Sequence, residues 1–227
     1  MRLGFKPREV ILMGERAAGV PAVLARRANR VVRPRDTAGV YAHPHAEMAR
    51  LVENGVIVRL ATGYYAVKPL NRLGMDAWRP ELEAVALGVA IVDYGTDAVA
   101  LMGVSAARHH GAVPRAVAAA TVAVPKQRPV LHTDVGEIGF VKRDTNRLDV
   151  ERVETELVTG WVTTIEQTLL DIAARPHRFG PHLGDFAETM VALGRRADLA
   201  LVAELAERQH LPSALRRIQA ELDVDRA

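Results

Sequence analysis

From residue 20 to residue 70, apolar positions first recur at helical spacing and then switch to the alternation of strands. Val20, Val23, Leu24 and Ala28 form one stripe behind Pro21, which suits a first helical turn, so the pattern predicts a helix over 20–28. Arg33-Pro34-Arg35-Asp36 reads as a turn and a restart, with a short second helix over 37–41. His43-Pro44 opens a third helix that runs to Asn54 and stops at Gly55, a residue fit for the left-handed cap. At about 100° per residue, Met48, Leu51 and Val52 share the face expected to bury, while His43, Ala46 and Arg50 lie opposite. Two β-rich runs follow, 56–60 and 64–68, joined by Ala61-Thr62-Gly63, a hairpin loop with glycine where φ must turn positive. Three short helices and a hairpin in this order make the pattern of a winged helix-turn-helix, in which the third helix enters the major groove and the wing lies along the phosphates.

Beyond this module the rhythm changes. Residues 69–76 lack periodicity and are rich in breakers, which puts a boundary between Pro69 and Pro80. The expected division is 1–19 as an extension or accessory helix, 20–70 as the winged module, 71–78 as a linker and 79–227 as a larger domain. Within the extension, residues 8–18 carry a short helical pattern broken at Gly14. Arg79-Pro80 launches a helix to Val92, and Asp97 caps another to His110 that ends at Gly111 and Pro114. Strands are predicted over 119–124, 137–142, 152–155 and 157–162. Thr163-Thr164-Ile165-Glu166 has the spacing of a capping box, with threonine three residues before glutamate, and starts a helix over 165–174 with Ile165, Leu169 and Ile172 inward. Helical runs over 183–193, 197–209 and 213–222 close the chain. The fold class read from this is α+β: an N-terminal winged helix-turn-helix, then a larger α+β domain with a small mixed sheet and a helical C-terminal tail.

Composition narrows the function classes. Hydrophobic residues make up 49% and charged residues 25%, as expected of a globular chain, and the absence of cysteine excludes disulfides, thiolate nucleophiles and cysteine-ligated metals. That absence fits a reducing cytoplasm. The longest apolar runs, such as 10–13 and 116–120, are far short of the roughly 18 residues of a membrane helix. The first residues offer too short an apolar stretch for a secretory signal, so no membrane partner is expected.

Charge sharpens the division. Residues 1–70 hold 12 Lys and Arg against 5 Asp and Glu, a net +7, whereas residues 71–227 hold 18 against 22, a net −4. A basic module attached to a mildly acidic domain points the first part toward a polyanion. The expected DNA contacts are Arg33 and Arg35 before the second helix; His43, Ala46 and Arg50 on the third; and Arg59, Thr62, Tyr64 and Lys68 on the wing. A helical module used for protein contact is the alternative, because Glu47 and Glu53 flank Arg50.

Catalytic signatures are absent. No lysine follows a glycine as a phosphate loop requires, and Gly103-Val104-Ser105-Ala106-Ala107 lacks the second glycine of a nucleophile elbow, so Ser105 reads as a packed helical residue. Asp93-Tyr94-Gly95 and Lys142-Arg143-Asp144 echo protein-kinase signatures but in the reverse order. His109 and His110 are adjacent on an expected helix, about 100° apart, and the pair His43 and His45 has no third ligand nearby, so no metal site is assigned. Asp171 reads as an exposed or capping carboxylate. No catalytic residue and no cofactor is assigned.

Three stretches together resemble the AbiE-type antitoxins of bacterial toxin-antitoxin systems. Residues 54–66, Asn-Gly-Val-Ile-Val-Arg-Leu-Ala-Thr-Gly-Tyr-Tyr-Ala, are similar to that family's wing. Leu101-Met102-Gly103-Val104-Ser105-Ala106-Ala107-Arg108-His109-His110-Gly111 resembles one of its helices, and the run from Val162 to Asp171 resembles another helix start. Their order covers most of residues 20–175. The resemblance implies an antitoxin whose winged helix binds the double-stranded operator of its own operon. It also implies a second domain that opposes a nucleotidyltransferase-type toxin, in a contact that can be transient. Two alternatives stand beside it: an enzyme-like antitoxin that silences the toxin covalently, as an atypical protein kinase using ATP, and a ligand-sensing transcription factor. Operators for such modules are commonly repeated half-sites, which implies two copies on DNA.

Overall fold

Why the N-terminal chain leaves its first helix so early is visible at Asn29. In the computed structural model, which describes residues 19–113, 118–179 and 185–226, α1 spans only Ala22–Ala25. The Asn29 side chain then donates to the Gly88 carbonyl at 2.8 Å and accepts from the Val31 amide at 2.9 Å. That turn ends the helix expected over 20–28 and directs the chain into β1, Val31–Val32, a strand too short to announce itself by alternation. The helix expected within residues 8–18 lies outside the described residues.

The second helix expected over 37–41 is instead a 3-10 turn, Pro34–Thr37, that begins three residues earlier. Asp36 accepts from the Arg33 amide at 2.9 Å, and the Thr37 hydroxyl donates to the Pro34 carbonyl at 2.8 Å, so local side chains close the turn. The third helix forms as expected: α2, Pro44–Glu53, has His43 as its N-cap and Gly55 beyond its end at φ +69°. Met48 and Leu51 bury, but Val52 is an exposed hydrophobic, so the buried stripe is narrower than the periodicity suggests. The hairpin pairs β2, Ile57–Ala61, with β3, Tyr64–Val67. Its loop is only Thr62 and Gly63, with Gly63 at φ +83°, and the register shifts between Arg59 and Ala61. β1 adds to the outer side of β3, Val31 opposite Ala66, giving an antiparallel sheet of order β1-β3-β2. Val20, Leu24, Val32, Met48, Leu51, Ile57 and Val67 fill the core of this module.

α3, Leu82–Tyr94, is buried along most of its length and joins this sheet to a larger one. Two glycines permit the approach. A Cβ on Gly88 would sit 2.4 Å from a methyl of Val31, and one on Gly160 would press on Leu87 and Ile91. Among the described residues the larger sheet has the order β6-β7-β5-β4-β9-β8. Its strands are β4 (Ala100–Leu101), β5 (Ala119–Val124), β6 (Leu131–Thr133), β7 (Gly136–Lys142), β8 (Val150–Glu154) and β9 (Thr159–Thr163). The β4–β9 and β5–β7 pairs are parallel and the rest antiparallel, so the mixed sheet is observed. On β5, Ala120, Val122 and Val124 face the α3 layer while Ala123 joins the core on the other side, which is why the strand reads as an apolar run interrupted only by Thr121.

That second core is built by α4 (Val104–His109), α5 (Ile165–Ala174), α6 (Pro176–Phe179), α7 (Phe186–Gly194), α8 (Leu199–Arg208) and α9 (Pro212–Arg226). The single helix expected over 97–110 is therefore wrong. Ala100 and Leu101 are a central strand, and Gly103, at φ +56° with the Phe179 ring where a Cβ would stand, separates it from α4. In place of the expected capping box there is a one-way N-cap one residue later, and the Gln167 side chain accepts from the Asp149 amide. Thr164, not Thr163, caps α5 by accepting from the Gln167 amide, while Thr163 stays in β9, its hydroxyl 2.7 Å from that of Thr168. Glu166 instead accepts from the Asp198 amide and holds the start of α8. No described helix is long and apolar enough to cross a membrane.

Candidate functional site

Two surfaces gather the polar side chains. The first is the outer face of α2 with the hairpin. His43, His45, Ala46, Ala49 and Arg50 are exposed or half-buried on the helix, and Arg59 and Thr62 are exposed on the hairpin. Arg50 is paired within its own helix, donating through Nε and Nη2 to Glu47 at 3.0 and 2.6 Å. This pair holds the Glu47 carboxyl below its usual range and the Arg50 guanidinium above its own. Arg59 donates to the Thr62 hydroxyl at 3.2 Å and lines a groove with Glu53, Asp76, Arg79 and Asp134. Arg35 is 72% exposed at its side chain, with its guanidinium 3.6 Å from Asp93.

The other expected contacts face inward. Arg33 donates to Asp36 and reaches Asp93 at 2.5 Å, and the Tyr64 hydroxyl donates to the second oxygen of Asp93 at 2.6 Å. Arg128, reaching from the larger sheet, also donates to Asp93 and stacks 4.3 Å from the Phe140 ring centroid. Asp93, noted in the sequence only as part of a kinase-like fragment, is thus the ionic joint between the N-terminal sheet and the larger one. Burial pushes the Tyr64 phenol upward, and its bond to Asp93 adds to the rise. Lys68 is 2% exposed, its ammonium donating to the Met75 carbonyl at 3.0 Å. Arg33, Tyr64 and Lys68, expected to meet DNA, are therefore engaged within the protein. Apart from Asp36, three residues from Arg33, their partners lie 7 to 60 residues away in sequence, so local pattern could not reveal those.

The second surface is a cleft of about 500 Å³ lined by Lys142, Arg143, Asp144, Arg147, Arg175 and His210, among others. Behind two of its lining residues, Arg143 and Arg175, lies Asp171, which is wholly buried rather than exposed or capping. Asp171 Oδ1 accepts from Arg143 at 2.5 Å and from Arg175 at 3.4 Å, while its Oδ2 finds no partner among the described residues. Burial pushes the Asp171 carboxyl upward and the two guanidiniums pull it back. Desolvation lowers the Arg175 guanidinium, and repulsion from Arg143 adds to this. Gln209 accepts from Arg143 at 2.9 Å and donates to Gln167 at 2.6 Å, tying the cleft to α5 and α8. His210 occupies the left-handed region at φ +57°, in the turn between α8 and α9.

Ser105 is buried as expected, donating to Glu83 at 3.3 Å and accepting from the Thr121 amide at 3.0 Å. His109 and His110 both approach Glu151 of β8, His109 Nε2 at 3.8 Å and His110 Nδ1 at 4.0 Å from its Oε1, and their rings meet edge-on with centroids 5.1 Å apart. A step of about 100° between adjacent helical positions does not keep two side chains as long as histidine from reaching one carboxylate.

The model of the AbiEi antitoxin C-terminal domain matches residues 98–219, more than half of the 227-residue chain. No curated protein matches the chain. The matched span begins just before β4 and ends within α9, so it holds the Asp171 cleft and the histidine pair but neither the N-terminal module nor α3.

Proposed function

This chain belongs to the family of AbiEi antitoxin C-terminal domains, and on that premise we propose that it neutralises a nucleotidyltransferase-type toxin with its larger domain and represses its own operon with its N-terminal module. The family match over residues 98–219 carries the antitoxin half of this reading. The repressor half is supported by chain order. Helix, short strand, helical turn, helix and hairpin, with the short strand pairing on the outer side of the hairpin, is the arrangement a winged helix-turn-helix needs to present α2 to a major groove. Operator DNA would meet Arg35, Arg50, Arg59, His43, Ala46 and Thr62, and two copies would occupy repeated half-sites.

The two fragments that echo protein-kinase signatures lend no support to the covalent, kinase-like alternative. Asp93 is occupied by Arg33, Arg128 and Tyr64, whereas Arg143 is engaged with Asp171.

Growth rescue tests the antitoxin half. A nucleotidyltransferase reading frame should lie beside the gene; its induction should arrest growth, and co-expression of this protein should restore it. Arrest that persists despite accumulation of the folded protein would refute the reading.

A further inference from the structure

Three side chains at the edge of the larger sheet have no role in the reading above. His109 is the last residue of α4 and His110 its C-cap, while Glu151 lies on the edge strand β8 opposite Val162. The His110 ring is almost fully buried, and its Nε2 lies 2.7 Å from the Thr163 carbonyl. A carbonyl only accepts, so the ring proton sits on Nε2 and Nδ1 keeps its lone pair. That lone pair lies 4.0 Å from Glu151 Oε1, and His109 Nε2 lies 3.8 Å from the same oxygen. All three ligand atoms fall within 4.8 Å of one another.

Such a cluster is poorly satisfied by itself. The His110 lone pair and the Glu151 carboxylate are both acceptors, and 4.0 Å is too long for a hydrogen bond. A cation between them relieves the repulsion. Two imidazole nitrogens and a carboxylate are the donor set that borderline divalent metals take, with a further position left for water or a partner's side chain. The bond from His110 Nε2 to a backbone carbonyl is the outer-shell contact that fixes the tautomer and ring of a metal-ligating histidine. Closing the site needs only small movements of Glu151 and His109, whose side chains are 50% and 37% exposed, toward the fixed His110. We propose that His109, His110 and Glu151 bind one divalent transition-metal ion of the zinc type. The ion would pin the end of α4 to the edge strand β8, within the span that the family match covers.

The test uses the full chain, stripped with a chelator and titrated calorimetrically with zinc chloride. One equivalent should bind saturably, and Glu151→Gln and His109→Ala should each weaken binding by roughly tenfold or more, since even changes in the outer shell cost 10- to 100-fold. His132→Ala, which removes the histidine facing Glu137 at 3.1 Å on another edge of the sheet, should leave affinity unchanged. Circular dichroism of the two half-exposed variants separates a missing ligand from a failure to fold. Cobalt(II) gives a second readout, a visible absorption band in the wild-type protein that disappears in His109→Ala. Absence of saturable binding, or equal affinity in the wild-type protein and both ligand variants, would overturn the proposal.

Discussion

The outer face of the N-terminal module and the interior of the larger domain both carry arginine, but they treat its charge in opposite ways. In the module, Arg50 pairs with Glu47 three residues away on an exposed helix face, and Arg35 and Arg59 lie at the surface. In the larger domain, Arg143 and Arg175 converge on Asp171, a carboxylate with no exposure. An exposed pair is screened by salt and contributes little, so a phosphate can replace its carboxylate at small cost. A buried carboxylate cannot exchange partners, because removing either member strands the other charge in a low dielectric. The exposed pair can thus exchange its partner for another anion, while the carboxylate behind the cationic cleft cannot.

The largest effect that tests this contrast is at Asp171. Asp171→Ala leaves Arg143 and Arg175 facing each other without their anion and should cost about 3–5 kcal/mol, as for other broken buried pairs, read as a large fall in Tm. Asp93→Ala comes next. It releases Arg33, Arg128 and Tyr64 at the joint between the sheets and should cost about 1.5–3 kcal/mol, the range of hydrogen bonds to a charged group, measurable by urea unfolding. A change too small to detect would mean that the joint is not ionic.

A pH series probes a smaller effect at Asp36. Burial alone would raise that carboxyl, but the hydrogen bonds and charge of Arg33, with Arg27 beyond, hold it below its usual range. A depressed value in the folded state means that the stabilisation is complete above the unfolded value and fades as pH falls through the folded one. Asp36→Asn should therefore be less stable than the wild type at pH 7, with the gap closing below about pH 3.9. The smallest expected change is at Glu47. Glu47→Gln should leave Tm essentially unchanged while strengthening DNA binding, since Arg50 then has no intrahelical anion to give up.

The sequence made parts of this arrangement legible where a local rule applies. α2 carries a proline start and a glycine stop, β5 is an apolar run between breakers, and α5 follows a threonine cap. It hid elements too short for any period, such as β1, β4 and β6, whose existence depends on partner strands elsewhere in the chain. It also hid long-range pairing. Arg33 and Tyr64 look like DNA contacts until Asp93 is folded against them, and Asp171 looks like a surface carboxylate because α5 is covered on more faces than its apolar stripe implies. The convergence of the histidine pair on Glu151 is hidden as well, because their shared neighbour comes from β8, more than 40 residues further along the chain.

Fluorescence anisotropy with a duplex from the region upstream of its own gene, across a series of salt concentrations, tests most directly whether the exposed arginines of the N-terminal module meet DNA. Affinity of the wild-type protein should fall steeply with salt, and Arg35→Ala, Arg50→Ala and Arg59→Ala combined should lower affinity and flatten the log–log slope by roughly 0.9 for each phosphate that is no longer neutralised. An affinity and slope that the triple substitution leaves unchanged would contradict the account.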